Sequence, residues 1–369
     1  MKKIVLMMAL TAMEMCTGNE SQIELAIGTY GEHLHRYSFN TQTYTFTQTG
    51  KAEAVNPSYV MSENGMIFAV SETGADSGIY TIEETDAKEG KAFEKTAHLR
   101  QTGADPCYLM LYDEGNKQYL MTADYSGGSI SVFPLTEGIA KDRIAQLVFE
   151  GRGPVAGRQE SSHIHQVKEV PGHKGYILAS DLGADVIRLI KADAKDEAPY
   201  LELEHISDIP CPAGSGPRHM EFSLDGCNLY CITELGGEVL RYDVTSGNGI
   251  PEFTLVQRIL ADEVSAGGSA DIHIHPSGKW LYTSHRLDND GIATFTIKED
   301  GTLVKTGYAR TARHPRNFLI TPDGKLLIAA CLNDGVIQVF KIAQNGNLTL
   351  TPSALHFESD RPSSVTVIR

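Results

Sequence analysis

The chain has 369 residues, 41% of them hydrophobic, and a formal net charge of -15. This length is enough to bury a large core, and ordinary apolar content marks a globular protein. So acidic a surface excludes a phosphate-backbone partner, so no nucleic-acid binding is expected, and a local cluster of arginines stands out against it.

The N-terminus, MKKIVLMMALTAMEMCTGNE, sets two lysines before an apolar run too short to span a bilayer. Residues 1–20 therefore read as a secretory leader, with Cys16 where a lipoprotein is cut and acylated. Glu14 interrupts the small residues usual before such a cysteine. The expectation is a periplasmic or membrane-anchored product with a possible lipid anchor at Cys16; the alternative is an N-terminal tail on a cytoplasmic enzyme. The other cysteines, Cys107, Cys211, Cys227, Cys231 and Cys331, are odd in number and irregularly spaced. They form neither a disulfide framework nor a paired zinc pattern.

From residue 21 onward one unit recurs. NPSYVMSENGMIFAVSET begins at Asn56, DPCYLMLYDEGNKQYLMTAD at Asp105, SSHIHQVKEVPGHKGYILASD at Ser161 and GPRHMEFSLDGCNLYCITE at Gly216. SADIHIHPSGKWLYTSHR follows at Ser269, HPRNFLITPDGKLLIAAC at His314 and RPSSVTVIR at Arg361. Each copy but the last is a hairpin of alternating residues about a turn, and glycine-flanked strand-like runs such as GGEVLRYDV and GVIQVFKIA lie between them. A period of about fifty residues with four short strands is the signature of a propeller blade. The final copy stops after one strand, whereas the chain begins with three strands, QIELAIGTYG, HLHRYSFN and TYTFTQTG, that lack a first. The expected fold is all-β: a seven-bladed β-propeller with four antiparallel strands per blade over residues 21–369, one domain, its ring closed by pairing the C-terminal strand with the N-terminal strands.

The innermost strands of a propeller line the central channel, so their first residues gather at one mouth. Aligning the copies places Ser58, Cys107, His163, Arg218, Asp271, Arg316 and Ser363 there. The ends of the second strands add Tyr30, Glu72, Asp124, Asp181, Glu234, His285 with Arg286, and Cys331. Arg218 and Glu234 stand at the two ends of one hairpin and should be neighbours. Three arginines at one mouth of an acidic protein suggest an anionic ligand, and a histidine there can act as a base. Three H-x-H pairs, His33/His35, His163/His165 and His273/His275, place two imidazoles on one strand face. Each lacks a third ligand nearby in sequence, so no metal is expected. DYSGGS and ELGGEV are turns rather than phosphate loops, and no G-x-S-x-G elbow supports a nucleophilic serine.

GSGPRHMEFSLDGCNLYCITEL, SADIHIHPSGKWLYTSHR and HPRNFLITPDGKLLIAACLNDGVIQVFKI resemble the seven-bladed propeller lactonase family, which includes propeller-type 6-phosphogluconolactonases and 3-carboxy-cis,cis-muconate lactonizing enzymes. The resemblance is strongest over residues 214–342. It implies hydrolysis of a sugar lactone without metal or organic cofactor, with catalytic roles on His163, Arg218, Glu234 and Arg286. His163 would be the general base with Glu234 orienting or charging it, and Arg218 and Arg286 would hold the oxyanion or a substrate phosphate. Asp271, Arg316, His165 and Asp181 are the further substrate contacts expected, and His165 and Glu234 are the alternative bases. The substrate implied is 6-phosphogluconolactone; an exported aldonolactone lactonase and a non-catalytic ligand-binding propeller are the alternatives.

Overall fold

The computed structural model describes residues 21–83, 94–195 and 201–368. The leader, Cys16 included, lies outside them. Seven small antiparallel sheets form a ring, five of them with their strands in simple chain order. Numbered in chain order, blades 1 to 6 occupy residues 60–99, 106–148, 164–210, 217–260, 269–310 and 315–356. The seventh is built from both ends: Arg361–Val367 is its innermost strand, followed by Gln22–Tyr30, His33–Asn40 and Thr45–Glu53. Ile27 pairs with Val365 and Tyr30 with Arg361, which closes the ring. Blade 2 departs from the four-strand pattern, because Ser129–Thr136 pairs with both Ile139–Ala140 and Ala145–Val148.

Short turns set the hairpin registers. In the hairpin centred on Asp225, the Gly226 N–H donates to the Ser223 carbonyl at 2.8 Å and the Cys227 N–H to the Asp225 carboxylate at 3.0 Å. Gly226 holds φ +73°, a conformation in which glycine carries no Cβ penalty.

The core is divided among the blade interfaces. Leu25, Ile27 and Phe39 of blade 7 pack on Leu326, Ile328 and Val339 of blade 6. On its other side, Ala26 and Leu34 meet Ile67, Ala69 and Tyr80 of blade 1. Because every sheet is covered on both faces, second strands such as Asn228–Thr233 and Leu326–Cys331 are buried at every position. Their near-continuous apolar character follows from that double burial.

One local irregularity determines what faces the channel. At the start of the innermost strand the pairing register skips between Pro106 and Tyr108, Ile164 and Gln166, Pro217 and His219, Ser269 and Ile272, and Pro315 and Asn317. Such a bulge leaves a residue unpaired and re-aims its side chain. The residues set free are Cys107, His165, Arg218, Ala270 with Asp271, and Arg316. Matching backbone bonds give the correspondence between blades: Glu234 N–H donates to the Gly216 carbonyl, Glu72 to Asn56, Tyr125 to Asp105, Leu182 to His163, Arg286 to Gly268 and Leu332 to His314. The repeat alignment is corrected accordingly. His165, not His163, is the counterpart of Arg218; Ala270 replaces Asp271; and Tyr125, Leu182 and Leu332 replace Asp124, Asp181 and Cys331 beside Glu234. An ungapped count along each hairpin ignores the bulge and the uneven lead-in to each strand.

The split blade makes the C-terminus a load-carrying part of the ring. Deleting residues 361–369 uncovers the strand Gln22–Tyr30 and opens a sheet edge, so the truncated protein is expected to melt far below the full chain or to aggregate. Superimposable thermal melting curves would contradict closure by this strand.

Candidate active site

Glu234 ends the second strand of blade 4, and its carboxylate receives three guanidinium groups. Arg218, freed by the bulge in the same hairpin, donates Nε to Oε2 at 2.8 Å. Arg286, from the matching position of blade 5, lies 3.0 Å from the same oxygen through Nη2. Arg158, on the loop leading into blade 3, reaches Oε1 at 2.5 Å. Burial raises the Glu234 pKa, but Arg286, Arg218 and Arg158 outweigh it and hold the carboxyl at about 2. Glu234 is therefore a fixed anion, not a proton acceptor at neutral pH. Arg218 also donates Nη1 to the Ala270 carbonyl at 2.5 Å, and Arg286 donates Nε to the Gly268 carbonyl at 2.8 Å. Burial pushes Arg286 down to about 10, with Glu234 opposing that fall.

His163 stands at the mouth on a partly exposed ring. Its Nδ1 lies 3.0 Å from the Tyr125 carbonyl, and its ring stacks on the Tyr125 ring at 4.4 Å and 6°. A carbonyl can only accept, so the neutral imidazole carries its proton on Nδ1 and its lone pair on Nε2. This is the tautomer a general base needs. Glu234 does not touch His163 directly; Arg158 links them, bonding both Glu234 and the Tyr125 hydroxyl. The backbone is held from below by Asp181, whose Oδ1 accepts the His163 N–H at 2.8 Å. Gly183 makes room for this segment, since a Cβ there would sit 1.8 Å from the Ser161 carbonyl oxygen.

The opposite side of the mouth is built from blades 6, 7 and 1. Arg316 lies over the Tyr30 ring at 5.2 Å and 4.0 Å from Glu72, which also accepts the Tyr30 hydroxyl and the Ser58 hydroxyl, each at 2.5 Å. Around the mouth the guanidiniums of Arg158, Arg218, Arg286 and Arg316 outnumber the carboxylates of Glu72 and Glu234 by two. The excess positive charge lies in a chain whose net charge is -15.

Three expected substrate contacts have other work. Asp181 is fully buried and spends its oxygens on Ser162, the His163 and Ala184 N–H groups and Arg188. It positions His163 and has no free edge for a ligand. Asp271 is likewise enclosed, accepting from His219 at 2.7 Å, His273 at 3.0 Å and Asn317 at 2.6 Å, and from the Phe318 N–H. His165 is buried against Cys107 and His219, and burial with Arg218 nearby lowers its pKa well below the usual imidazole value. It is therefore a poor proton acceptor at neutral pH.

Residues outside the expected set complete the site. Arg158 and Tyr125 belong to an irregular loop and a turn, where no periodicity singles out a side chain. His314 precedes the bulge of blade 6 with φ +66°, a left-handed conformation uncommon outside glycine. Its Nε2 lies 3.3 Å from Arg286, while its buried Nδ1 has no hydrogen-bond partner. The HPR and GPR triplets carry the signal, since His314 and Gly216 are counterparts.

Residues 24–367 match the family described as Lactonase, 7-bladed beta-propeller. The chain belongs to this lactonase family. Among its relatives, a 6-phosphogluconolactonase of Formosa agariphila is 30% identical over 335 residues, 88% of this chain and 93% of that protein. A crystal structure from Bacteroides fragilis, of a proposed 6-phosphogluconolactonase, superimposes with a TM-score of 0.87 at 34% identity over 96% of this chain and 100% of that one. The periplasmic gluconolactonase of Pseudomonas aeruginosa gives 0.84 at 26% identity over 95% and 99%.

The mouth also sets how stability depends on pH. Burial and neighbouring cations hold His219 at about 4 and His285 and His314 at about 3. Unfolded histidines take up protons near pH 6.5. The unfolded chain therefore binds more protons below that pH, and the stability these three contribute is lost as pH falls from about 6.5 through 3. Glu234 adds a loss between about 4.5 and 2, worth on the order of 3 kcal/mol. Asp124, raised to about 6 by burial against its hydroxyl and backbone hydrogen bonds, acts in the opposite direction, its contribution fading as pH rises toward 6. Three histidines and Glu234 outweigh it. The melting temperature is expected to fall steadily from pH 7 to pH 4, and a level or rising profile would contradict these assignments. Glu234→Gln is expected to destabilise by about 3 kcal/mol at pH 7, because two buried arginines and the partly exposed Arg158 lose their anion.

Proposed function

We propose that the protein hydrolyses a six-membered sugar lactone of the 6-phosphogluconolactone type at the arginine-rich mouth. The lactonase family and its 6-phosphogluconolactonase relatives support the reaction class. The observation that carries the site is a histidine with its acceptor nitrogen available beside an excess of guanidinium charge.

The chemistry follows from these groups. A water attacks the lactone carbonyl while His163 Nε2 takes its proton, and Arg218 and Arg286 stabilise the charge that develops on the carbonyl oxygen. The tetrahedral intermediate then collapses, the C–O bond to the ring oxygen breaks, and the imidazolium returns its proton to that oxygen. The product is an open-chain hydroxy acid whose carboxyl group releases a proton to solvent. Glu234 keeps the guanidiniums apart and aligned, so little reorganisation is needed as charge appears. Arg158 and Arg316, nearer the rim, suit a phosphate on the far end of the substrate.

A second reading has its own support. The leader-like N-terminus and the Pseudomonas aeruginosa periplasmic gluconolactonase favour an unphosphorylated gluconolactone met outside the cytoplasm. Initial rates on 6-phosphogluconolactone and on gluconolactone, followed by proton release, separate the two. A kcat/KM higher for the phosphorylated lactone is expected; preference for gluconolactone would transfer the assignment to the second reading, and hydrolysis of neither would overturn both. His163→Gln is expected to lower kcat about a hundredfold or more with KM little changed, the range typical of a lost general base. Full activity in that variant would remove His163 from the mechanism. Arg316→Met is expected to raise KM for the phosphorylated lactone and leave gluconolactone unaffected.

A further inference from the structure

His33 and His35 share one face of the third strand of blade 7, and the ring closure brings Asp360 onto them from more than 320 residues away in sequence. His33 Nδ1 lies 3.1 Å from Asp360 Oδ2, and His35 Nε2 lies 2.8 Å from the same oxygen. The three ligand atoms all fall within 4.8 Å of one another, the one such group among the described residues. We propose that His33, His35 and Asp360 form a structural binding site for a divalent d-block cation, zinc above all, that staples the two ends of the chain together.

The donor set is the first reason. Two imidazole nitrogens and one carboxylate oxygen suit zinc and its neighbours, whereas magnesium and calcium prefer oxygen alone. Bonds of about 2.0–2.1 Å in a tetrahedron put ligand atoms about 3.3 Å apart. The two histidine–carboxylate spacings therefore open by only a few tenths of an ångström on binding, and the two imidazole nitrogens already lie within 4.8 Å of each other. Water takes the fourth position, and the partly exposed side of His33 gives the ion its route in.

The surrounding groups are the second reason. Asp360 Oδ1 accepts the Glu32 N–H at 3.0 Å, which leaves Oδ2 turned to the histidines. A Cβ at Gly31 would sit 2.1 Å from Oδ1, so only glycine lets the turn close over the carboxylate. The His35 ring is braced edge-on by Phe357 at 5.2 Å, and its Nδ1 lies 3.2 Å from the Gln48 amide. With metal on Nε2 the His35 proton moves to Nδ1, and a turn of that amide presents Oε1 to accept it.

The three residues contact Glu32, Gln48 and Phe357, none of which is assigned to hydrolysis. Asp360 immediately precedes the innermost strand of blade 7, and His33 opens the third strand, so a bound ion ties the last strand of the chain to its first hairpin. The other H-x-H pairs do not meet a third ligand: His275 bonds Ser277 and the Gly324 carbonyl, and His165 is enclosed near Cys107.

The test uses the full chain, stripped with chelator and titrated with Co²⁺, then Zn²⁺. One equivalent of Co²⁺ is expected to bind with the intense visible absorption of a tetrahedral site and to be displaced by Zn²⁺. Zinc is expected to raise the melting temperature by a few degrees, by mass action on the folded state. His33→Ala, at a partly exposed position, and Asp360→Asn are each expected to abolish the absorption and the shift, while His33→Ala keeps full lactonase activity. Should Asp360→Asn fail to fold, His33→Ala decides alone. No uptake of either ion, or uptake and stabilisation undiminished in His33→Ala, would overturn the proposal.

Discussion

The Glu234 carboxylate, shared by three guanidiniums, is the interaction on which the mouth depends. Arginines buried at this spacing would repel one another without an anion between them. With Glu234 in place, Arg218, Arg286 and Arg158 are held by a carboxyl that stays ionised down to about pH 2. The arrangement costs desolvation, as any buried ion cluster does. In the proposed hydrolysis what it supplies is position: cations fixed before a substrate arrives need not be reoriented while charge develops on a carbonyl oxygen.

That interaction exists only because the blades are set at fixed angles around one axis. Arg218 and Glu234 come from one hairpin, Arg286 from the next blade, and Arg158 from the loop between blades 2 and 3. The bulges at the start of the inner strands of blades 4 and 6 turn Arg218 and Arg316 into the channel rather than into the sheet pairing. The far side, with Arg316, Tyr30 and Glu72, draws on blades 6, 7 and 1 and so depends on ring closure by Arg361–Val367. Stability and site geometry are therefore joined in blade 7, where the C-terminal strand completes a sheet begun at Gln22.

Much of this was legible in the sequence, for identifiable reasons. Hairpins with apolar alternation and short turns recur at a blade-length period, and a lone final strand matches three unpaired opening ones, so fold and closure could be read directly. Arg218 and Glu234 were legible because a hairpin places its two ends side by side whatever surrounds it. Register was harder. A bulge adds one residue to one strand without marking the sequence, which is why Asp271 and Asp181 were assigned to the mouth although the structure encloses them. His163 reached the mouth by another route, through a lead-in segment stacked on Tyr125. Arg158 lies on a loop without periodicity, and Asp360 meets His33 and His35 only when the ring closes, so neither contact leaves a local pattern.

The account makes the mouth a preorganised anion site with one acceptor nitrogen, and a structure of the protein with 6-phosphogluconate bound tests it most directly. The account predicts the product carboxylate within hydrogen-bond reach of both His163 Nε2 and an arginine held by Glu234, about 2.6–3.2 Å. The phosphate should meet Arg158 or Arg316. A product seated with His163 and these arginines untouched, or a carboxylate bound elsewhere in the channel, would contradict it.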